Sequence, residues 1–176
     1  MSPYRIAPVE PGARPELAGI EARILAARGR ITPLYQVLLN SPPVVDGWEA
    51  MLTAIRQKTA LSPRVRELII LRVAVLNRAP YEFEAHVPHA RAAGLREAVI
   101  EGLRVYAAPD AVQGLDGGER EVLALTDAMT RDIEVPDAVF EPLRAHFDEQ
   151  GLIELAATVA AYNMVSRFLV ALRIGH

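Results

Sequence analysis

Cysteine is absent from this 176-residue sequence, and lysine is nearly absent. Without thiols the chain cannot form a disulfide, a redox dithiol, a thiolate nucleophile or a thiolate metal site. Lys58 is the only lysine among 19 basic residues, and it lies in a polar Arg-Gln-Lys-Thr stretch. A Schiff-base mechanism would depend on this one residue, and we therefore set that mechanism aside.

The sequence also has no large excess of positive or negative charge. The 19 basic and 22 acidic side chains leave a net charge of −3, with no basic block. This balance argues against electrostatic binding of nucleic acid. The longest uncharged apolar runs fall well short of a membrane span, and the N-terminus lacks the layout of a signal peptide. We therefore expect a soluble cytoplasmic protein that binds neither nucleic acid nor a membrane.

The residues that are present predict one helical domain. Apolar residues make up 51% of the chain and charged residues 23%, as in globular proteins. The length fits one domain, for which about 100–200 residues is usual. Four prolines predict an extended arm over residues 1–16. From Leu17 onward the apolar spacing is helical and no segment alternates as a strand does. The sequence therefore predicts a single all-α domain over residues 17–176.

Capping signals divide this domain into helices. Ser62-Pro63 predicts the start of a helix that is apolar nearly all round, which is typical of a central helix covered by others. After the turn Asn77–Pro80 we expect a helix from about Tyr81 to Ala93. Asp116-x-x-Glu119 matches a capping box for another helix. The final helix is predicted from about Leu152 to Leu172, after an interruption near Gly151.

Two charged residues, Glu67 and Arg72, interrupt the most apolar helix. Burial of either one without a partner is costly, so each should face a cavity, form an ion pair or reach solvent. An alternative interpretation of Glu67 is structural. It lies in the second helical turn, where a carboxylate favours the helix dipole and touches solvent.

The next predicted helix places Glu82, His86 and His89 on one face, at i, i+4 and i+7. A carboxylate one turn from an imidazole can orient it for general acid–base catalysis. The same three residues can also contribute to a metal site, although the spacing is not that of a strong metal motif. A third interpretation is an exposed amphipathic face with two incidental histidines. Pro88 predicts a kink that turns His89 away from His86.

Helix geometry brings Glu67 close to His86. Glu67 precedes the predicted turn by about nine residues, and His86 follows it by about six. At about 1.5 Å of rise per residue, their heights along antiparallel helices differ by only about 5 Å. The sequence therefore predicts that Glu67, Glu82 and His86 line one pocket.

These residues form a pattern that resembles the carboxymuconolactone decarboxylase family, which has the AhpD-like helical fold. The resemblance runs from about Gly29 to Leu172, and Tyr162–Phe168 is similar to the final helix of the family. It implies a homo-oligomer, a trimer or a hexamer, that works in the breakdown of aromatic compounds. The motifs that carry it are Leu61-Ser62-Pro63-x-x-x-Glu67-Leu68, Arg72-Val73-Ala74, Asn77, Tyr81-Glu82-x-x-x-His86 and Ala93-Gly94-Leu95.

The resemblance also separates two branches of that superfamily. The peroxidase branch has a Glu, a Cys-x-x-Cys pair and a His as a proton relay. Its Glu and His match Glu67 and His86, whereas its two cysteines fall on Ala79 and Glu82. Thiol peroxidase activity is excluded, because no other side chain performs reversible two-electron sulfur chemistry. What remains resembles the decarboxylase branch, which acts on small carboxylated lactones without a cofactor.

We therefore predict a cofactor-independent and metal-free lyase with Glu67, Glu82 and His86 as catalytic residues. His86 is the general acid, because an imidazole with a pKa near 6.5 suits proton transfer at neutral pH. Arg72 and Arg167 are candidate anchors for a substrate carboxylate, and His89 is a further substrate-binding candidate. Two alternatives stay open. One is lactone hydrolysis or isomerisation at the same site, and the other is a non-enzymatic helical oligomer or ligand carrier.

Overall fold

The computed structural model describes residues 4–175, which are helical with no strand among them. The predicted all-α fold is therefore confirmed for this part of the chain. Residues 1–3 of the predicted arm and His176 lie outside the described residues. Three short 3-10 turns (Pro15–Leu17, Pro109–Ala111 and Glu141–Ala145) accompany the helices, which are α1 Ala18–Arg28, α2 Pro33–Leu38, α3 Pro42–Gln57, α4 Pro63–Leu76, α5 Pro80–Ala92, α6 Glu97–Arg104, α7 Glu119–Arg131, α8 Asp137–Phe140 and α9 Glu149–Leu172.

The chain divides into two compact units, residues 59–168 and residues 1–58 together with 169–176. The second of these contains α1–α3, and α1 and α2 both pack on α3. Tyr35 is buried in this unit, with the Arg28 guanidinium 5.0 Å from the centre of its ring. Burial raises the pKa of the Tyr35 phenol. This unit therefore keeps a protonated phenol in its interior.

Helix α4 is the central helix of residues 59–168, as its apolar sequence predicts. It packs on α5, α6 and α7. Ser62 caps its N-terminus by accepting a hydrogen bond from the Val65 amide at 3.2 Å, and Pro63 occupies the first turn. The helix ends at Asn77, and Arg78 adopts a left-handed conformation with φ 54° before α5 begins. The short turn sets α5 beside α4, which brings their side chains together.

One predicted helix start is wrong in detail, whereas α7 has the predicted bounds Glu119–Arg131 but only part of the predicted capping box. The last helix begins at Glu149 and runs through Gly151, because the Asp148 carboxylate accepts a hydrogen bond from the Gly151 amide at 2.8 Å. At the start of α7, Glu119 reaches back to the Asp116 amide at 2.7 Å, but Gly118 occupies the cap position. The Asp116 side chain instead lies 3.1 Å from Arg64. The Asp116 carboxylate therefore forms an ion pair with Arg64 and does not cap the N-terminus of α7.

Helix α9 is the described helix that is long and apolar enough to cross a bilayer. Its most apolar 18-residue window has a mean hydropathy of 1.5, and half of that window is buried within the protein. The core helix of a soluble protein passes the same test, so this property is weak evidence for a membrane span. The buried face of α9 includes Leu155, Val159 and Tyr162.

Candidate active site

Glu67 of α4 and His86 of α5 meet in the interior, as the helix geometry predicts. The Glu67 Oε2 and His86 Nδ1 atoms are 2.7 Å apart, and the two residues are 3% and 6% exposed. An ionised carboxylate can only accept a hydrogen bond, so Nδ1 is the donor when Glu67 is ionised. Glu67 therefore does not lie on the surface as the structural interpretation requires, and it fixes the orientation of the imidazole.

The second ring nitrogen of His86 also faces a carboxylate. Its Nε2 lies 3.5 Å from Oε1 of Glu82, which is one turn earlier on α5 and is 6% exposed. This separation is longer than a strong hydrogen bond, whereas the Nδ1 contact is short. Nε2 is thus the nitrogen that is less tightly held, and it can exchange a proton with a ligand. Together Glu67, His86 and Glu82 form what we call the imidazole triad.

An aromatic side chain from α9 completes this environment. The ring of Tyr162 packs edge-on against His86, with centroids 5.6 Å apart and planes at 87°. The adjacent Asn163 holds α9 in place by accepting a hydrogen bond from Asn77 at 2.9 Å and donating one to Thr130 at 2.9 Å. The imidazole is therefore enclosed by three helices, α4, α5 and α9.

The expected displacement of His89 is wrong. Helix α5 continues through Pro88, and the His89 ring centroid lies only 5.5 Å from that of His86. Pro88 is the ninth of the 13 residues of α5, and the packing of α5 on α4 keeps the helix intact despite the lost backbone hydrogen bond. His89 is exposed, so it lies between the buried imidazole and the surface.

The predicted substrate anchors Arg72 and Arg167 contact protein groups in this structure. Arg72 is fully buried and donates to both carboxylate oxygens of Asp127 at 2.6 Å and to the Ala107 carbonyl at 2.8 Å. Arg167 is exposed, and its contact with the Thr130 carbonyl is long, at 3.4 Å. Nothing in the structure tests a substrate contact of either residue, so both remain predictions.

Sequence reasoning missed Arg66. Its Nε lies 4.0 Å from Oε1 of Glu67, and its side chain is 14% exposed. A signal for it was present in the sequence. Arg66 directly precedes Glu67, the one carboxylate of an otherwise apolar helix stretch. Opposite charges attract strongly where water is excluded, so the sequence indicates an interaction between these two side chains.

The described residues hold no cluster of three or more histidine, aspartate or glutamate side chains that could bind a metal ion. The alternative of a metal held by Glu82, His86 and His89 therefore gains no support from their geometry. The triad places a carboxylate oxygen near each ring nitrogen of an imidazole, which is an arrangement that general acid–base catalysis can use.

Comparison with known proteins shows which family this sequence is similar to. The profile of the carboxymuconolactone decarboxylase family matches residues 42–128, a segment that includes all three triad residues. A crystal structure of a protein of unknown function from Agrobacterium tumefaciens is 28% identical, with a TM-score of 0.71 over 78% of this chain and 93% of its own.

Two further crystal structures show the fold. An uncharacterized peroxidase-related protein with an AhpD core, from Ralstonia eutropha JMP134, gives a TM-score of 0.82 at 20% identity, over 99% of this chain and 92% of its own. The debrominase Bmp8 in complex with 2,3,4-tribromopyrrole gives a TM-score of 0.79 at 15% identity, over 97% of this chain and 90% of its own. The chain thus has the AhpD-like helical fold and, across residues 42–128, is similar to the carboxymuconolactone decarboxylase family.

Proposed function

We propose that this protein is a cofactor-independent lyase of the carboxymuconolactone decarboxylase type. Its substrate is a small carboxylated lactone or a related acid from the breakdown of aromatic compounds. The observation that carries the proposal is an imidazole held between two buried carboxylates in a chain without cysteine. The family match supports the reaction class, although one fold hosts many chemistries.

The reaction needs one proton at one carbon. When the bond to the substrate carboxylate breaks, CO₂ leaves and the electron pair passes into the conjugated system as a dienolate. Protonated His86 then donates its Nε2 proton to the distal carbon of the dienolate. Solvent returns the proton to the imidazole, so atoms and charge balance without a co-reactant. General acid catalysis of this kind contributes about 10²–10⁴-fold to a rate.

The two carboxylates of the triad have different roles in this mechanism. Glu67 accepts the Nδ1 hydrogen bond and so fixes the tautomer and the plane of the ring. Glu82 lies on the Nε2 side, where it can exchange the proton that Nε2 delivers or takes up. Its position matches the second cysteine of the peroxidase branch, so a carboxylate replaces a thiol on the reacting side of the histidine.

The remaining expectations belong to the same proposal. We propose a soluble cytoplasmic homo-oligomer, a trimer or hexamer, whose partner is a small molecule. His89 is the proposed substrate contact nearest to the surface, because its ring neighbours His86 and is exposed. An AhpD-like fold with a half-buried α9 supports a soluble protein.

A substrate screen tests this function. Small carboxylated lactones and related unsaturated acids are incubated with the protein, and both CO₂ release and ring opening are followed. We expect CO₂ release that His86→Gln lowers by about 10²-fold or more, whereas His146→Gln, a change at an exposed histidine outside the triad, has no effect. Ring opening without CO₂ would instead identify a hydrolase or isomerase, and unchanged turnover in His86→Gln would refute the mechanism.

A further inference from the structure

Three arginines of α4 are largely buried, and one of them differs from the other two. The side chains of Arg64, Arg66 and Arg72 are 20%, 14% and 0% exposed. Arg64 donates to both carboxylate oxygens of Glu119 at 2.6 and 3.0 Å, and this bonding raises the pKa of Arg64. Arg72 is bonded in the same forked manner to Asp127. Each of these two guanidinium groups thus has a carboxylate as a bidentate partner.

Arg66 has no such partner within residues 4–175. Its Nε is buried and makes no hydrogen bond there. The nearest carboxylate oxygen, Oε1 of Glu67, is 4.0 Å away, which is beyond hydrogen-bond distance. Glu67 cannot easily serve as the fork partner, because its other oxygen is bonded to His86. A buried donor without an acceptor destabilises the folded state, and more so when it is charged, so it calls for an explanation.

We propose that Arg66 is a binding residue for the carboxylate of a small organic acid, beside the imidazole triad. A guanidinium presents Nε and Nη donors in a fixed fork that matches two carboxylate oxygens. The Glu67 contact places this fork next to the residue that orients His86. The inference rests on the proposed function, and it assigns a binding residue to the carboxylate of the proposed substrate.

The charge of Arg66 also determines which carboxylate it binds. A cation bonded to the group that leaves as neutral CO₂ would stabilise the substrate more than the transition state and slow the reaction. Arg66 therefore holds a carboxylate that the product retains.

The experiment measures binding without turnover, and the probes are benzoate and its uncharged analogue benzamide. Each is titrated into the full-length protein while NMR follows the His86 imidazole signals and the Arg66 Nε–H signal. The variants are Arg66→Gln, which removes the charge, and Arg66→Lys, which keeps the charge but not the fork. Arg120→Gln is the matched control, because Arg120 is exposed on α7 and outside the site. Circular dichroism confirms that each variant is folded.

We expect benzoate to shift both signals in the wild type and Arg66→Gln to weaken its binding about tenfold or more. Arg66→Lys should weaken it to a smaller extent, and Arg120→Gln should leave it within about twofold. Benzamide binding should be equal in all variants. The absence of saturable benzoate binding, or equal benzoate affinity in wild type and Arg66→Gln, overturns the proposal. His86→Gln should still bind benzoate, so a failure of the proposed catalysis is distinguishable from a failure of the proposed anchor.

Discussion

Helix α4 carries two buried charges five residues apart, and they are satisfied in different ways. Arg72 meets Asp127 in a forked ion pair, with a third bond to the Ala107 carbonyl. Glu67 instead contacts the imidazole of His86, with 2.7 Å between Oε2 and Nδ1. The first arrangement has a fixed charge, because arginine stays protonated. The second joins a carboxylate to an imidazole, the side chain most often used in general acid–base catalysis.

Helix α4 thus contributes one buried charge to an ion pair between helices and another to the candidate active site. The Arg72–Asp127 pair joins α4 to α7, and Arg72 also lies 5.5 Å from the centre of the Tyr106 ring. No proton needs to move there. In the imidazole triad the carboxylate near each nitrogen limits how the ring can turn. We infer that the ion pair stabilises the fold, whereas the triad is the proposed site of the reaction.

The largest effect should come from breaking the ion pair. Asp127→Ala leaves the Arg72 guanidinium buried without its carboxylate, and such a change typically costs about 3–5 kcal/mol of unfolding free energy. Urea denaturation followed by circular dichroism measures this loss. Asp110→Ala, at an exposed aspartate, is the control. Arg72→Met combined with Asp127→Leu should recover much of the loss, and a double variant as unstable as Asp127→Ala would show that the charge pair is not the cause.

A smaller effect on stability and a larger one on activity are expected for Glu67→Gln. The amide keeps the volume of the side chain but gives up the charge that the imidazole N–H bonds to. Loss of one charge-assisted hydrogen bond costs about 1.5–3 kcal/mol at most. Turnover should fall about tenfold or more, because the ring loses its fixed orientation. If stability falls as far as in Asp127→Ala while turnover is kept, the two arrangements have the same structural role.

Tyr35 is a third buried ionisable group, and its burial favours the protonated phenol. Its folded-state pKa is raised by burial, so the folded state binds this proton more tightly than the unfolded state does. The resulting stability is complete below the unfolded pKa of about 10 and is lost as pH rises above it, by about 1.4 kcal/mol per pH unit. Tyr35→Phe should remove this alkaline loss. Denaturation of both proteins on either side of pH 10 measures it, and equal pH dependence would contradict the assignment.

The smallest effect is expected for an exposed ion pair. Arg91 and Glu97 are 2.7 Å apart, and this contact lowers the pKa of Glu97. Its contribution is present above the ordinary carboxyl pKa and is lost as pH falls through the lowered value. Because solvent screens the pair, Arg91→Gln should leave the urea midpoint unchanged at neutral pH. A shift comparable to that of Asp127→Ala would mean that burial does not distinguish the ion pairs of this protein.

The sequence predicts much of the site because most of it depends on local geometry. The turn at Asn77–Pro80 and the rise of an α-helix are enough to bring Glu67 to His86. The position of Glu82 follows from its spacing on the same helix. Each of these contacts joins residues that are close in the chain or lie on adjacent helices, where helix periodicity sets the heights.

The contacts that could not be predicted depend on distant parts of the chain. The partner of Arg72 is Asp127, which is 55 positions away and gives no local signal. The enclosure of His86 by Tyr162 depends on how α9 packs. The kink predicted at Pro88 is wrong because it also depends on tertiary packing. The packing of α5 on α4 stabilises the helix more than one lost hydrogen bond weakens it.

The central claim is that Glu67 holds Nδ1 of His86 and leaves Nε2 to deliver the proton. Nitrogen-15 NMR of the histidine side chains tests this directly, because it reports which ring nitrogen carries hydrogen. We predict that neutral His86 in the wild type is protonated at Nδ1 with an unprotonated Nε2, and that Glu67→Gln alters this pattern while His146→Gln does not. A His86 protonated at Nε2, with signals that Glu67→Gln leaves unchanged, would contradict the account.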